Sequence, residues 1–168
     1  MEHLEDTDIV SGNQGQPNQS YSKEQRLQRA CLRVAMVIRG LWEEKGSSDT
    51  RLLEGLLLPD ELTVVGRSVA LENGEGKVRR EHVVPRRAII MKCHDMLADG
   101  QSDEAIAKII RDNTKIVLVS EAECERLDRV KHMNLKQKMP GGWEFGGDVF
   151  ARLQVAGIEW TLLSDQHS

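Results

Sequence analysis

The chain has 168 residues, 39% of them hydrophobic and only 4% aromatic, with a formal net charge of −4. That length suits one domain with a modest, mainly aliphatic core. The negative balance excludes a protein that coats nucleic acid through its overall charge, while leaving room for a local basic site. Cys31, Cys93 and Cys124 are far apart, with no CxxC pair. This argues against a zinc knuckle or a disulfide framework and points to a reducing compartment, with the cytoplasm as the expectation. No apolar run is long enough to span a membrane, and the N-terminus lacks the basic-then-apolar pattern of a signal peptide.

In chain order, residues 1–20 are acidic and then rich in Gly, Asn, Gln, Pro and Ser. Such a composition buries little apolar surface and predicts a disordered tail ahead of a single domain over 21–168. A long helix is expected from about Ser22 to Lys45, because Leu27, Ala30, Cys31, Val34, Ile38 and Leu41 recur at three- and four-residue spacing. Ser22 and Gln25 are placed to form a capping box. The apolar face of this helix either covers the core or offers a surface to a protein partner or a second copy. A short helix over Arg51 to Leu57, capped by Asp49 or Thr50, follows. A strand over Leu62 to Leu71, a turn at Asn73-Gly74 and a returning strand over Lys77 to Val84 then predict a β-hairpin, halted by Pro85.

Helices are expected over Ala88 to Ala98 and from Ser102 to Asn113. The β-branched run Lys115 to Val119 predicts a strand. Ser120-Glu-Ala-Glu123 is a capping box that opens a helix to about Val130. Asp148 to Ala156 reads as a helix stopped by Gly157, and Ile158 to Leu163 as a last strand.

Between Lys77 and Arg87 five basic residues stand against one acidic one, a local balance of +4 in an acidic chain. Within this stretch Glu81-His-Val-Val-Pro85 puts an imidazole at a strand end. Asn113 and the strand-helix junction up to Cys124 come later. These segments resemble the Asp/Glu-His-Ile/Val-x-Pro piece and the later Asn-strand-helix piece of HNH endonucleases, the ββα-metal or His-Me finger family. The resemblance covers about residues 62–130. It implies an α+β fold with a ββα-metal-like centre, built from a hairpin, a helical insertion, a strand and a helix. An N-terminal helix and a C-terminal helix and strand would flank it.

The same resemblance implies metal-dependent hydrolysis of DNA phosphodiester bonds. His82 would be the general base, Asn113 the central Asn, and Glu81 and Glu123 ligands of Mg²⁺ or another divalent ion. Glu123 and Cys124 stand where the family's closing His or Asn falls, and a thiol there would favour Zn²⁺. Arg79, Arg80, Arg86 and Arg87 would meet the phosphates. The alternative is a catalytically inactive relative that binds nucleic acid or a protein as a regulator. Each residue also has a plain structural reading: His82 as a hydrogen-bonding strand end, Asn113 as a helix terminus, Glu123 as half of a capping box, Cys124 as a small buried side chain, and the arginines as a solvated face.

Overall fold

The structure is a computed structural model and describes residues 20–129 and 133–164. The tail expected over 1–20 lies outside these residues, apart from Ser20. Helix α1 spans Lys23–Lys45 and starts on the expected capping box: Ser22 Oγ accepts from the Gln25 amide, and the Gln25 side chain accepts from the Ser22 amide. Gly46 ends it at φ 67°, a left-handed conformation that favours glycine. The apolar stripe Ala30, Cys31, Val34, Ala35 and Ile38 is buried along α5, Asp103–Asn113, whose own Ile106, Ala107 and Ile110 face the core. That stripe therefore belongs to the interior of this fold rather than to a partner surface.

A 3-10 turn at Thr50–Leu53, capped by Asp49, replaces the short helix expected there. Helix α2 (Asp60–Thr63) follows Pro59 and contains two residues expected in a strand. Strand β1 is shorter than expected, Val64–Ser68. It stops because the Ser68 hydroxyl accepts from the Leu71 amide and caps a short helix α3, Val69–Glu72. Strand β2 is Val78–His82. Helix α4, Arg86–Ala98, begins directly after Pro85, two residues earlier than expected, and ends at Asp99-Gly100 as the sequence indicates.

Strand β3, Ile116–Ser120, runs into helix α6, Glu121–Asp128, through the Ser120/Glu123 capping box. Helix α7 is reduced to Ala151–Val155, and strand β4 to Trp160–Leu162.

The sheet order is β2-β3-β1-β4, and this corrects the expected hairpin. β1 and β2 are not neighbours. β3 lies between them, parallel to β1 and antiparallel to β2. Two local causes are visible. The chain leaves the sheet into α3 instead of turning back, and Asn73 has φ −79°, whereas the tight two-residue hairpin turns need positive φ at the first central residue. β3, an almost continuous aliphatic run, takes the central position that such runs favour. β4 closes the other side, antiparallel to β1, with Gly66 opposite Leu162. Trp160 lies against Gly66, and a Cβ placed there would stand 2.8 Å from the Thr161 carbonyl oxygen. The architecture is α+β, with helices packed around a four-stranded sheet. No helix among the described residues is long and apolar enough to cross a membrane.

Candidate functional site: a polar cleft at the end of β2

β2 carries the Glu-His segment as an edge strand. Its register sets His82 opposite Ile116 and Glu81 opposite Val117, and the Val83 amide donates to the Lys115 carbonyl at 2.9 Å. Pro85 then turns the chain into α4. A cleft of about 390 Å³ opens here, between the end of β2, the first turn of α4, helix α6, Lys136 and Gln137, with Arg152 at its floor.

His82 is held in place. Its Nε2 hydrogen-bonds Glu54 Oε1, while its Nδ1 is buried without a partner among the described residues. Burial pushes the His82 pKa below its usual value, although Glu54 pulls the other way. A neutral imidazole that donates from Nε2 and leaves a bare Nδ1 satisfies both facts. Protonation would bury a second N–H with no acceptor. Glu54 is itself loaded: it also pairs with Arg80 at 3.2 Å and Arg86 at 3.0 Å. Burial raises its pKa, but His82 and the two arginines outweigh that and leave it lowered.

The basic stretch is largely matched by acids that the fold brings in from elsewhere. Arg80 also grips Asp60 at 3.0 and 2.6 Å through two nitrogens, and Arg79 pairs with Glu121. Arg87 is exposed, with no ion pair among the described residues. The local +4 of the sequence is thus much reduced in space.

Beneath this layer, Glu81 is buried and ion-paired with Arg152 at 2.7 Å. Arg152 is 1% exposed. It also donates to the carbonyls of His82 at 2.7 Å and Leu135 at 2.8 Å, tying β2 to the segment that carries Lys136. Burial raises the Glu81 pKa, and Arg152 offsets part of that rise. The Cys124 thiol lies 3.7 Å from Glu81 Oε2 and 3.6 Å from Asp128 Oδ2. Burial and then these two carboxylates push it up to about 12. It is a protonated thiol shared between two acids.

The fold therefore brings His82, Glu81, Cys124, Arg80, Arg86 and Arg87 to one cleft. Three expected site residues do not line it, one of them Arg79, which is held by Glu121. Asn113 is buried at the last turn of α5, where its Nδ2 donates to the Ile109 carbonyl at 2.8 Å, and it does not line the cleft. Glu123 is occupied by its capping box, accepting from the Ser120 amide at 2.8 Å. Five further residues matter here that the sequence did not single out: Glu54, Asp60, Asp128, Lys136 and Arg152. Asp128 had a signal, lying four residues after Cys124 on the same helix face. The other four had none, since their roles depend on long-range packing.

No protein-family model, curated protein or solved structure matches this chain.

Glu81, Cys124 and Asp128 place one ligand atom each within 4.8 Å of one another. As a metal donor set they do not suit Mg²⁺, which takes oxygen ligands in octahedral geometry. The thiol suits Zn²⁺ better, but Glu81 is already neutralised by Arg152.

Proposed function

We propose that this chain is a nucleic-acid-binding protein that receives a phosphate-bearing strand, DNA being the expected class, in the cleft beside His82 without cutting it. The supporting observation is charge. Five cations line the cleft; Arg80, Arg86 and Arg152 are matched by Glu54, Asp60 and Glu81, while Arg87 and Lys136 have no carboxylate partner among the described residues and face the open space. The HNH resemblance of Glu81-His82-Val83-Val84-Pro85 supplies the ligand class. Cleavage fits less well. A general base needs a nitrogen within reach of water, and here Nε2 is committed to Glu54 while Nδ1 is buried.

A metal-dependent endonuclease is the second reading, favoured by the Glu81, Cys124 and Asp128 donors beside His82. These residues would hold a divalent ion, which would supply charge stabilisation on a phosphate.

One pair of assays separates the two readings. Labelled duplex DNA is titrated at several salt concentrations, and supercoiled plasmid is incubated with Mg²⁺, Mn²⁺, Zn²⁺ or EDTA. Binding that weakens with salt at a slope near −0.9 per phosphate contact, with no nicking, is the expected result. Metal-dependent nicking that disappears in His82→Ala would establish the endonuclease instead. No binding at low salt would sink both.

A further inference from the structure

We propose that the outer half of the cleft is a site for a terminal phosphate, the phosphomonoester end of a nucleotide or oligonucleotide strand. This rests on the nucleic-acid reading above and narrows it from any backbone phosphate to a chain end.

Most cations of the cleft are already matched. Arg80 has Asp60 and Glu54, Arg86 has Glu54, and Arg152 has Glu81. Arg87 and Lys136 have no carboxylate partner among the described residues, and both are exposed on the cleft wall. They come from different elements, the first turn of α4 and the segment held by Arg152 through Leu135. Two unmatched cations facing one space call for two negative charges. A phosphodiester brings one, whereas a phosphomonoester carries between about −1.5 and −2 near neutral pH.

The end of α4 adds to this. The 13-residue helix has Pro85 at its N-cap, which supplies no side-chain acceptor, and its first turn holds two arginines and no acid. Cations at the positive end of a helix are the unfavourable arrangement, and an anion there would relieve it. The volume, about 390 Å³, lies at the small end of the range for ligand sites and suits a nucleotide-sized group better than a continuous duplex.

The experiment compares the full chain's affinity for one single-stranded oligonucleotide bearing either a 5′-phosphate or a 5′-hydroxyl, alongside a nucleoside monophosphate. The same series is run with Arg87→Ala and Lys136→Ala, both exposed positions. The phosphorylated strand should bind about tenfold tighter, as one or two charge-assisted hydrogen bonds imply. Each variant should lose most of that difference, so that its affinities for the phosphorylated and the hydroxyl strand converge. Equal affinity for the two strands overturns the terminal-phosphate site and leaves the nucleic-acid reading intact. Binding of the monophosphate with neither strand bound keeps the site and overturns the nucleic-acid reading. Binding of none of the three overturns both.

Discussion

Arg152 and Glu81 form an ion pair of 2.7 Å in which the arginine is 1% exposed, so helix α7 and strand β2 are joined through a charge that solvent does not reach. The guanidinium spends its remaining donors on the carbonyls of His82 and Leu135. Removing one member of such a pair strands the other in a desolvated place. Arg152→Ala should therefore destabilise the protein by about 3–5 kcal/mol, read from chemical denaturation. Arg152→Met with Glu81→Leu should recover much of this loss, because two apolar groups need no partner. A double variant no more stable than the single one would show that the carbonyl contacts, not the ion pair, dominate.

The His82–Glu54 contact makes stability depend on pH in a definite direction. The His82 pKa in the fold lies below its usual 6.5, so the unfolded chain takes up a proton before the folded one does. Stability from this group is complete above about 6.5 and is lost as pH falls toward the lower folded value. The Glu54 pKa is lowered from 4.5, and its contribution disappears in turn as pH drops through its folded value. Both act the same way, so the denaturation midpoint should fall on acidification below about pH 6.5. His82→Gln should flatten the upper part of that curve. A midpoint that rises between pH 6.5 and 5 would contradict the geometry.

Gly66 leaves no room for a side chain. An added Cβ meets the Trp160 ring and the Thr161 carbonyl oxygen, and the latter is backbone that cannot move without disturbing the β1–β4 pairing. Gly66→Ala should cost about 1–3 kcal/mol, the range for overpacking. The loss should show as a lower melting temperature. Gly40→Ala is the control, since nothing lies within 4 Å of an added Cβ there and the helix gains from alanine.

Glu123 separates a cap from a metal ligand. Its carboxylate is engaged by the Ser120 amide, and a glutamine keeps that acceptor. Glu123→Gln should leave stability and metal uptake near those of the unaltered protein, whereas Ser120→Ala should cost about 1 kcal/mol. Equilibrium dialysis with Zn²⁺ provides the second reading, and a metal affinity that falls in Glu123→Gln would assign the residue to a site after all.

The three thiols should be quiet. Burial raises Cys31 and Cys93 to about 12, and Cys124 reaches the same value with help from Glu81 and Asp128. The thiolate is the reactive form. A disulfide-exchange reagent near pH 7.5 should therefore label the native protein slowly and the denatured protein at all three positions. Fast native labelling of Cys124 would show that it is not held between the carboxylates.

Much of this chain could be read residue by residue. The α1 capping box, the Ser102 and Ser120 caps, the ends of α4 and α5 and the place of β3 all follow from interactions that reach four residues or fewer, which a linear sequence states directly. That Glu81, His82 and Cys124 meet at one place is not stated by the linear order; it follows from the pairing of β2 with β3 and the packing of α6 beside them. Only the tertiary structure decided the rest. Whether β1 pairs with β2 or with β3 depends on which strand occupies the centre of the sheet, and here β3 does, while the Ser68 cap takes the chain out of the sheet after β1. Local charge counting gave the Lys77–Arg87 stretch a surplus. Coulomb attraction, however, acts through space, and folding set Glu54, Asp60 and Glu121 against those arginines from 20 to 42 residues away. Arg152 is the extreme case: nothing around it in the chain distinguishes it, and its place at the floor of the cleft exists only once α7 has packed against β2.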